Sequence, residues 1–284
     1  MKYLIVSPIK DEGEYISSLI KSVISQTHLP KEWIIVDDGS SDNTCEIVLS
    51  YIKSHPWIKL VKHNNQNEVR TGGAKVVRAF NYGYSFVKDK QYDFIVKLDG
   101  DLELPRNYFE KVSEVFANNS KIGLCGGVIY NKYGNEFKKE GSASYHIRGA
   151  FKSVRKNCFK DIGGFREVWN WDGLDEMIAM FKGWDTKVID MPVKHFRPTT
   201  AAYNKKEHSF KSGREAYRMR SNIILTILRG VKKASQKPFL LNSFYYWGGF
   251  INAFIKKENR IVDKDLGTFI NKFHLKRIYN NEKV

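Results

Sequence analysis

The sequence predicts an α/β fold: a mostly parallel central sheet with flanking helices, followed by a helical C-terminal tail. Three patterns point there. Short apolar runs alternate with helical stripes through the first hundred residues, the order that builds parallel strands joined by crossover helices. Two of the apolar runs, Trp33-Ile34-Ile35-Val36 and Phe94-Ile95-Val96-Lys97-Leu98, end in Asp37-Asp38 and Asp99-Gly100-Asp101. Carboxylates at strand ends belong to the carboxyl edge of such a sheet, where open α/β sheets bind ligands. After Pro198 the strand pattern stops and basic helical stretches take over.

Tyr3–Val6 predicts the first strand, and Ile16, Leu19, Ile20, Val23 and Ile24 mark a helix over 13–25. Trp33–Val36 is a strand; Ser40 or Ser41 is expected to cap a helix running through 43–53. Ile58–Val61, a helix over 73–87, and Phe94–Leu98 continue the alternation. Pro105 precedes a helix over 107–116, and Ile122–Val128 predicts a glycine-weakened strand. Residues 130–160 are polar, basic and poorly periodic, and predict strands and loops. Leu174, Met177, Ile178 and Phe181 form a helical stripe behind Asp172, and Lys187–Asp190 predicts a strand ending before Pro192. Helices are expected over 213–233, 239–257 and 264–272. The organisation expected is a 1–128 part, a 129–204 part of the same domain and a basic helical extension, 205–284.

The 284 residues are 42% hydrophobic and 27% charged, which excludes a disordered chain. Cys45, Cys125 and Cys158 lie far apart, form no metal-ligand spacing, and fit thiols in a reducing, cytoplasmic compartment. The first apolar run is too short for a signal peptide, and no run of about 18 apolar residues predicts a spanning helix. A net charge of +16 favours an anionic partner, whether nucleic acid, acidic lipid headgroups or a phosphorylated substrate, without choosing among them. An organism-wide lysine bias is the bland alternative.

Asp99 and Asp101, two apart at a strand end, fit a divalent cation bridged to phosphate, or one cation ligand and one ribose contact. A solvated Asp-Gly turn is the structural alternative. Asp37-Asp38-Gly39 fits hydrogen bonding to a base or ribose, or a simple loop and cap. Arg70, Lys75 and Arg78 bracket Gly72-Gly73 at a helix start, a chemically reasonable phosphate site. Neither a Walker loop nor Gly-x-Gly-x-x-Gly is present. In Trp171-Asp172-Gly173-Leu174-Asp175-Glu176 the carboxylates serve either the helix N-terminus or a general base. His195, after a short strand, is a structural histidine or a third cation ligand.

Together these anchors resemble the family 2 glycosyltransferases of the GT-A fold. The resemblance rests on Val6-Ser7-Pro8-Ile9-Lys10-Asp11-Glu12, on Ile34 to Thr44 with Asp37-Asp38-Gly39-Ser40-Ser41-Asp42, on Asp99-Gly100-Asp101, and on Gly163-Gly164-Phe165 with Trp171-Asp172. It covers about residues 3–198. It implies an inverting transfer of sugar from a nucleotide diphosphate sugar, most often a UDP-sugar, to an acceptor hydroxyl of a carbohydrate or lipid-linked acceptor. Asp172 falls at the catalytic base. Pro8, Asp11, Glu12, Asp37, Asp38, Arg78 and Asp99 are implied at the donor nucleotide. Asp101 and Asp99, with His195, are implied to hold Mn²⁺ or Mg²⁺. Arg70, Lys75, Trp171 and Asp175 are further candidates; Trp171 stands where the family usually has glutamate.

Two rivals differ in class. A sugar-1-phosphate nucleotidyltransferase needs a glycine-rich loop after Val6, which is missing. A basic nucleic-acid or anionic-surface module leaves the acidic clusters without a role, so no nucleic-acid partner is expected. In the tail, 239–255 carries Tyr245-Tyr246-Trp247 beside Lys256-Lys257. That pattern predicts peripheral contact with the inner face of a membrane, or helices whose aromatics pack as core.

Overall fold

A computed structural model describes residues 1–63, 73–197, 205–235 and 239–280. Two units emerge, Met1–Thr199 and Thr200–Val284. The first contains β1 (Tyr3–Ile9), α1 (Ile16–Ile24), β2 (Glu32–Asp37), α2 (Thr44–Ile52), β3 (Ile58–Lys62), α3 (Ala74–Ser85), β4 (Phe94–Leu98), β5 (Leu102–Glu103) and α4 (Tyr108–Asn118). It continues with β6 (Ile122–Tyr133), β7 (Glu136–Lys139), β8 (Phe151–Arg155), α5 (Lys156–Asp161), α6 (Trp171–Phe181) and β9 (Asp185–His195). One sheet runs β3-β2-β1-β4-β8-β6-β9-β5, with β7 paired to β6.

The first four strands of that order are parallel. β8 enters antiparallel between β4 and β6, and β6 and β9 are parallel to each other. The parallel part is therefore the N-terminal half, and the C-terminal half is mixed. Both faces of β1, β2 and β4 are buried, which is why their sequences read as continuous apolar runs. Ile16, Leu19, Ile20 and Val23 of α1 and Phe109, Val112 and Phe116 of α4 join the core with Tyr3, Ile5, Trp33 and Phe94. α3 approaches closely through Gly83, where a Cβ would lie 2.4 Å from Val36 and 2.7 Å from Val6.

Two local expectations change. Ser40 and Ser41 do not cap α2. Asp42 Oδ1 accepts from Thr44 N at 3.0 Å, while Ser40 N donates to Asp37 and Ser41 N to Asp11. The serines thus join two loops, and Asp42, nearer to the helix in sequence, holds its start. β9 also passes through Pro192 to His195 instead of stopping at Asp190. The register with β6 shifts between Gly126 and Val128, and Gly127 N leaves the ladder to donate to Tyr108 Oη at 3.0 Å. The bulge accommodates a residue without an N–H.

The second unit contains α7 (Lys205–Arg218), α8 (Ile223–Ala234), α9 (Leu241–Ile255) and α10 (Lys264–Tyr279). The single helix expected over 213–233 is two helices. Arg220 has φ 58°, and Asn222 Oδ1 caps a new start by accepting from Leu225 N at 2.8 Å. The polar stretch before it is already helical from Lys205. α7 and α9 touch backbone to backbone at Gly213 and Gly249, where a Cβ would fall 1.8 Å from Tyr246 O and 2.0 Å from Phe210 O.

Gly83→Ala should destabilise the first unit by about 1–3 kcal/mol through overpacking against β1 and β2. Urea unfolding checks it; an unchanged midpoint would mean that α3 slides without cost.

Candidate active site

The β1–α1 and β2–α2 loops, at the carboxyl edge of the sheet, are tied to each other. Asp11, with φ 51°, accepts from Ser41 N at 2.8 Å through Oδ1, and its own N–H donates to Ser40 Oγ at 3.0 Å. Glu12 N donates to Thr44 Oγ1 at 2.8 Å, and Gly13 N to Asp42 Oδ2 at 2.9 Å. Asp37 is buried and accepts from Ser40 N at 2.9 Å. Asp38 accepts from His63 Nδ1 at 2.7 Å, and the His63 ring lies against Tyr82 at 4.7 Å. Pro8 sits at the end of β1, beyond Val6, the last residue paired with β4. Pro8, Asp11, Asp37 and Asp38 therefore gather on two adjoining strand ends, and Glu12 follows them into the loop.

Asp101 meets the end of β9. Leu102 pairs with His195, and Phe196 N donates to Asp101 O at 3.0 Å. His195 Nε2 lies 3.4 Å from Asp101 Oδ1. Asn131 Nδ2 donates to Glu140 Oε2 at 2.6 Å, so its Oδ1 faces His195 Nδ1 at 2.9 Å and accepts from it. Glu140 in turn accepts from Arg148 at 2.5 Å. This chain holds the imidazole with Nε2 turned towards Asp101, the orientation of a ligating histidine. Beyond His195, Arg197 Nη2 donates to Asp11 O at 3.0 Å and pairs with Glu12 at 2.9 Å.

Among the described residues no group of three or more His, Cys, Asp and Glu is arranged to hold a metal ion. Two protein ligands suit Mg²⁺ or Mn²⁺ that take further oxygens from a substrate diphosphate, and the buried Asp101–His195 pair fits that donor set. Asp99 is directed elsewhere: its carboxylate pairs with Lys97, and its N–H donates to Ala150 O at 2.8 Å. Burial raises Asp99 above the usual carboxylate range; Lys97 opposes this and the Asp101 charge adds to it.

Asp172 lies in the first turn of α6, at this same edge: at Gly149, one residue before Ala150, a Cβ would lie 3.1 Å from Asp172 Cβ. Below it is Lys152, with no exposure. The ammonium donates to Asp172 O at 2.6 Å, Asp175 Oδ1 at 2.7 Å and Glu176 Oε1 at 3.2 Å. Glu176 also accepts from His146 Nδ1 at 2.9 Å and Ile147 N at 2.7 Å. Burial pushes Asp172 up, but Lys152, His146, Arg148 and Lys97 outweigh it and hold the carboxyl below the ordinary range. Asp175 goes the other way, raised by burial and by Glu176 against the pull of Lys152. Trp171 lies between the two lysines, its ring 5.4 Å from both Lys97 and Lys152 ammonium nitrogens.

The remaining candidates are dispersed. Arg78 pairs with Glu167 at 3.3 Å, both side chains near half exposed. Lys75 occupies the first turn of α3, and Arg70 lies outside the described residues. The sequence-based list lacked Lys97, Lys152, Asn131, His146 and Arg197. For the two lysines a signal existed: each interrupts an apolar strand, in Ile95-Val96-Lys97-Leu98 and Phe151-Lys152-Ser153-Val154, where a lone charge calls for a buried partner.

A sheet whose carboxyl edge carries acidic loops and a helix-borne aspartate is the architecture of the GT-A-like transferases. The chain belongs to glycosyl transferase family 2, whose family model matches residues 4–182. It is 29% identical over 204 residues to a poly-beta-1,6-N-acetyl-D-glucosamine synthase of Staphylococcus epidermidis, covering 65% of this chain and 45% of that protein. It is 25% identical over 167 residues to glycosyltransferase GlyG of Streptococcus pneumoniae, covering 59% and 50%. The chain thus spans about half the length of these curated relatives. Among solved structures it resembles S. aureus TarS 1–349 in complex with UDP-GlcNAc, with TM-score 0.57 and 16% identity over 90% of this chain and 73% of that one. It also resembles the mannosyltransferase PcManGT of Pyrobaculum calidifontis, solved with GDP-Man and Mn²⁺, with TM-score 0.55 and 12% identity over 99% and 81%.

Lys152→Met should cost about 3–5 kcal/mol, because two buried carboxylates lose their counter-charge. The carboxyl of Asp172 should rise towards its ordinary value, so any acid limb it controls moves to higher pH. In the wild type its depressed value makes ionised Asp172 favour folding above the unfolded-state value; that contribution fades as pH falls through the folded-state value. Urea unfolding and a pH profile measured on the same variant check both expectations.

Proposed function

We propose that this chain transfers a sugar, with inversion, from a nucleotide diphosphate sugar, a UDP-sugar by preference, to the hydroxyl of a carbohydrate or lipid-linked acceptor in polysaccharide, cell-envelope or glycolipid synthesis. The observation that carries this is the placement of Asp172. It stands in the first turn of α6, with the Lys152 ammonium on its backbone carbonyl, beside the segment that pairs with Asp99 at the strand end, and the surrounding cations draw its carboxyl below the ordinary range. Family membership and the likeness to donor-bound transferase folds support the same reaction.

In this mechanism Asp172 accepts the proton of the acceptor hydroxyl. The freed oxygen forms a bond to the anomeric carbon from the face opposite the nucleotide. The bond from that carbon to the diphosphate breaks, and the diphosphate leaves with the electron pair. Pro8, Asp11, Glu12, Asp37 and Asp38 hold the nucleoside, with Arg197 bracing Asp11 and Glu12. Asp101 and His195 would hold Mn²⁺ or Mg²⁺, which supplies charge neutralisation at the leaving diphosphate. Asp99 belongs to the same edge, held by Lys97, and Arg78 and Lys75 remain candidates at the phosphate side. Asp175 serves the Lys152 pair and Trp171 the two lysines. We place the reaction in the cytoplasm, at the inner face of the cell membrane; the free thiols of Cys45, Cys125 and Cys158 agree with that compartment.

Asp172→Asn should lower kcat by about 10²–10⁴-fold with donor affinity little changed. Asp175→Asn should instead reduce stability and leave a larger share of kcat. Nucleotide release and calorimetric donor binding, measured in parallel, separate the two. A variant that keeps full turnover without Asp172 places the base elsewhere.

Divalent cation should be required, so exhaustive chelation should stop transfer. Asp101→Asn should weaken Mn²⁺ binding most. Asn131→Leu, which frees the His195 ring, should weaken it about 10–100-fold. Mn²⁺ titration by electron paramagnetic resonance reads this without turnover; unchanged affinity in both variants would remove the Asp101–His195 pair from the cation site.

A further inference from the structure

α8 and α9 form an antiparallel pair: Trp247 Nε1 donates to Thr226 O at 3.2 Å, and Ser243 Oγ to Gly230 O at 2.7 Å. Gly230 lets the Trp247 ring approach, since a Cβ there would fall 2.0 Å from Nε1. Leu225 and Thr226 of α8 and Asn242, Ser243, Tyr246, Gly249 and Ala253 of α9 are buried. The opposite faces are apolar and open. On α8 the exposed positions Ile223, Ile224, Ile227, Leu228 and Val231 recur at helical spacing. On α9 Leu241, Phe244, Ile251 and Ile255 do the same, and Ile223 and Ile255 are each 71% exposed. Contiguous apolar surface on this scale marks an interaction site. In α9 the core side carries Asn242, Ser243 and Gly249 beside Tyr246 and Ala253, while Leu241, Phe244, Ile251 and Ile255 face out.

The charges say what covers it. From Ala216 to Lys257 the sequence contains no Asp or Glu and eight Lys and Arg. In the antiparallel pair the exposed Lys232 stands at one end of the apolar stripe and the exposed Lys256 and Lys257 at the other, while Lys233 turns inward over the Tyr246 ring at 5.7 Å. A second copy of the chain would bring the same cations to this face with no carboxylate from it to neutralise them. The helices are also short. At 12 and 15 residues they extend about 18 and 22 Å, less than the ~30 Å hydrocarbon core of a bilayer. No helix among the described residues is long and apolar enough to cross a membrane.

We infer that the outer face of the α8–α9 pair is a docking surface for an anionic lipid bilayer. The helices lie in the plane of the interface, with the isoleucine, leucine and phenylalanine side chains at the acyl boundary and the terminal lysines among the headgroups. Apolar area and headgroup attraction act together there. The surface is independent of the transfer chemistry proposed above.

Flotation of the full chain with phosphatidylglycerol–phosphatidylcholine vesicles, and with phosphatidylcholine vesicles alone, tests it. Binding is expected to the anionic vesicles only, and to weaken as salt rises. Ile227→Glu with Phe244→Glu, both at exposed positions, should abolish flotation while leaving unfolding and donor binding as in the wild type. Replacing Lys232, Lys256 and Lys257 by Gln should weaken it on the order of 10²-fold. Absence of flotation at low salt overturns the inference. So does equal binding to both vesicle types, or a dimer in sedimentation velocity that the Glu variants dissolve without any vesicle binding. Because flotation needs no turnover, its failure leaves the transfer reaction untouched, and an inactive protein that floats leaves the docking surface standing.

Discussion

Lys152 sits in β8 with its ammonium out of water, and much of the site is arranged around that charge. An isolated buried ammonium is strongly disfavoured, so partners have to arrive. Asp175 and Glu176 arrive from α6, together with the Asp172 carbonyl. Glu176 then takes the Ile147 N–H and the His146 ring, which orders the segment leading into β8. The same charge is the largest of those that draw the Asp172 carboxyl below its ordinary range against the effect of burial. One lysine therefore docks the helix, shapes the preceding loop and sets the protonation state of the candidate base.

A second convergence depends on strand geometry. β6 and β9 run parallel at the far side of the sheet from β1 and β2. Without the Gly127 bulge, Pro192 would interrupt the ladder and the chain would leave the sheet early. With it, β9 reaches β5 and delivers three consecutive side chains. His195 goes to Asp101, Phe196 stacks on Tyr15 at 5.2 Å, and Arg197 goes to the Asp11-Glu12 turn. Residues almost a hundred or more positions apart thereby share one edge. The Arg148–Glu140–Asn131 chain then sets the face that His195 presents.

Much of the first unit was legible in the sequence because the parallel half buries both strand faces. Trp33 to Val36 and Phe94 to Leu98 carry that signature directly, and the acidic residues behind them mark the carboxyl edge. The C-terminal half was less legible. β6, β8 and β9 mix directions, and a bulge is not encoded by periodicity, so the strand over Pro192 looked like an ending. Arg220 and Asn222 split a stretch whose apolar spacing continues across the break. The carboxylates were visible as types, but their division of labour was not. Asp172 and Asp175 differ by less than a turn, and only the position of Lys152 separates an ionised, half-buried group from one drawn into the core.

Trp171 stands, by the resemblance drawn from the sequence, at the point where family 2 glycosyltransferases usually carry glutamate, and a carboxylate there would be a natural partner for lysines. Lys97 and Lys152 are register partners on β4 and β8, pointing to one face as a pair of like charges. The indole offers its π face to both at 5.4 Å, a softer attraction than an ion pair, on the order of 1–2 kcal/mol when desolvated. The full counter-charge then comes from Asp99 on one side and from Asp175 and Glu176 on the other. With no carboxylate at 171, Asp172 faces one fewer negative neighbour, which removes a repulsion that would otherwise raise its pKa. The substitution thus favours the ionised aspartate, and it packs against Phe165 at 4.8 Å and so seats α6 on the Gly163-Gly164-Phe165 segment. A glutamate restored at this position would gain the ion pairs, lose that aromatic seat, and push Asp172 towards protonation.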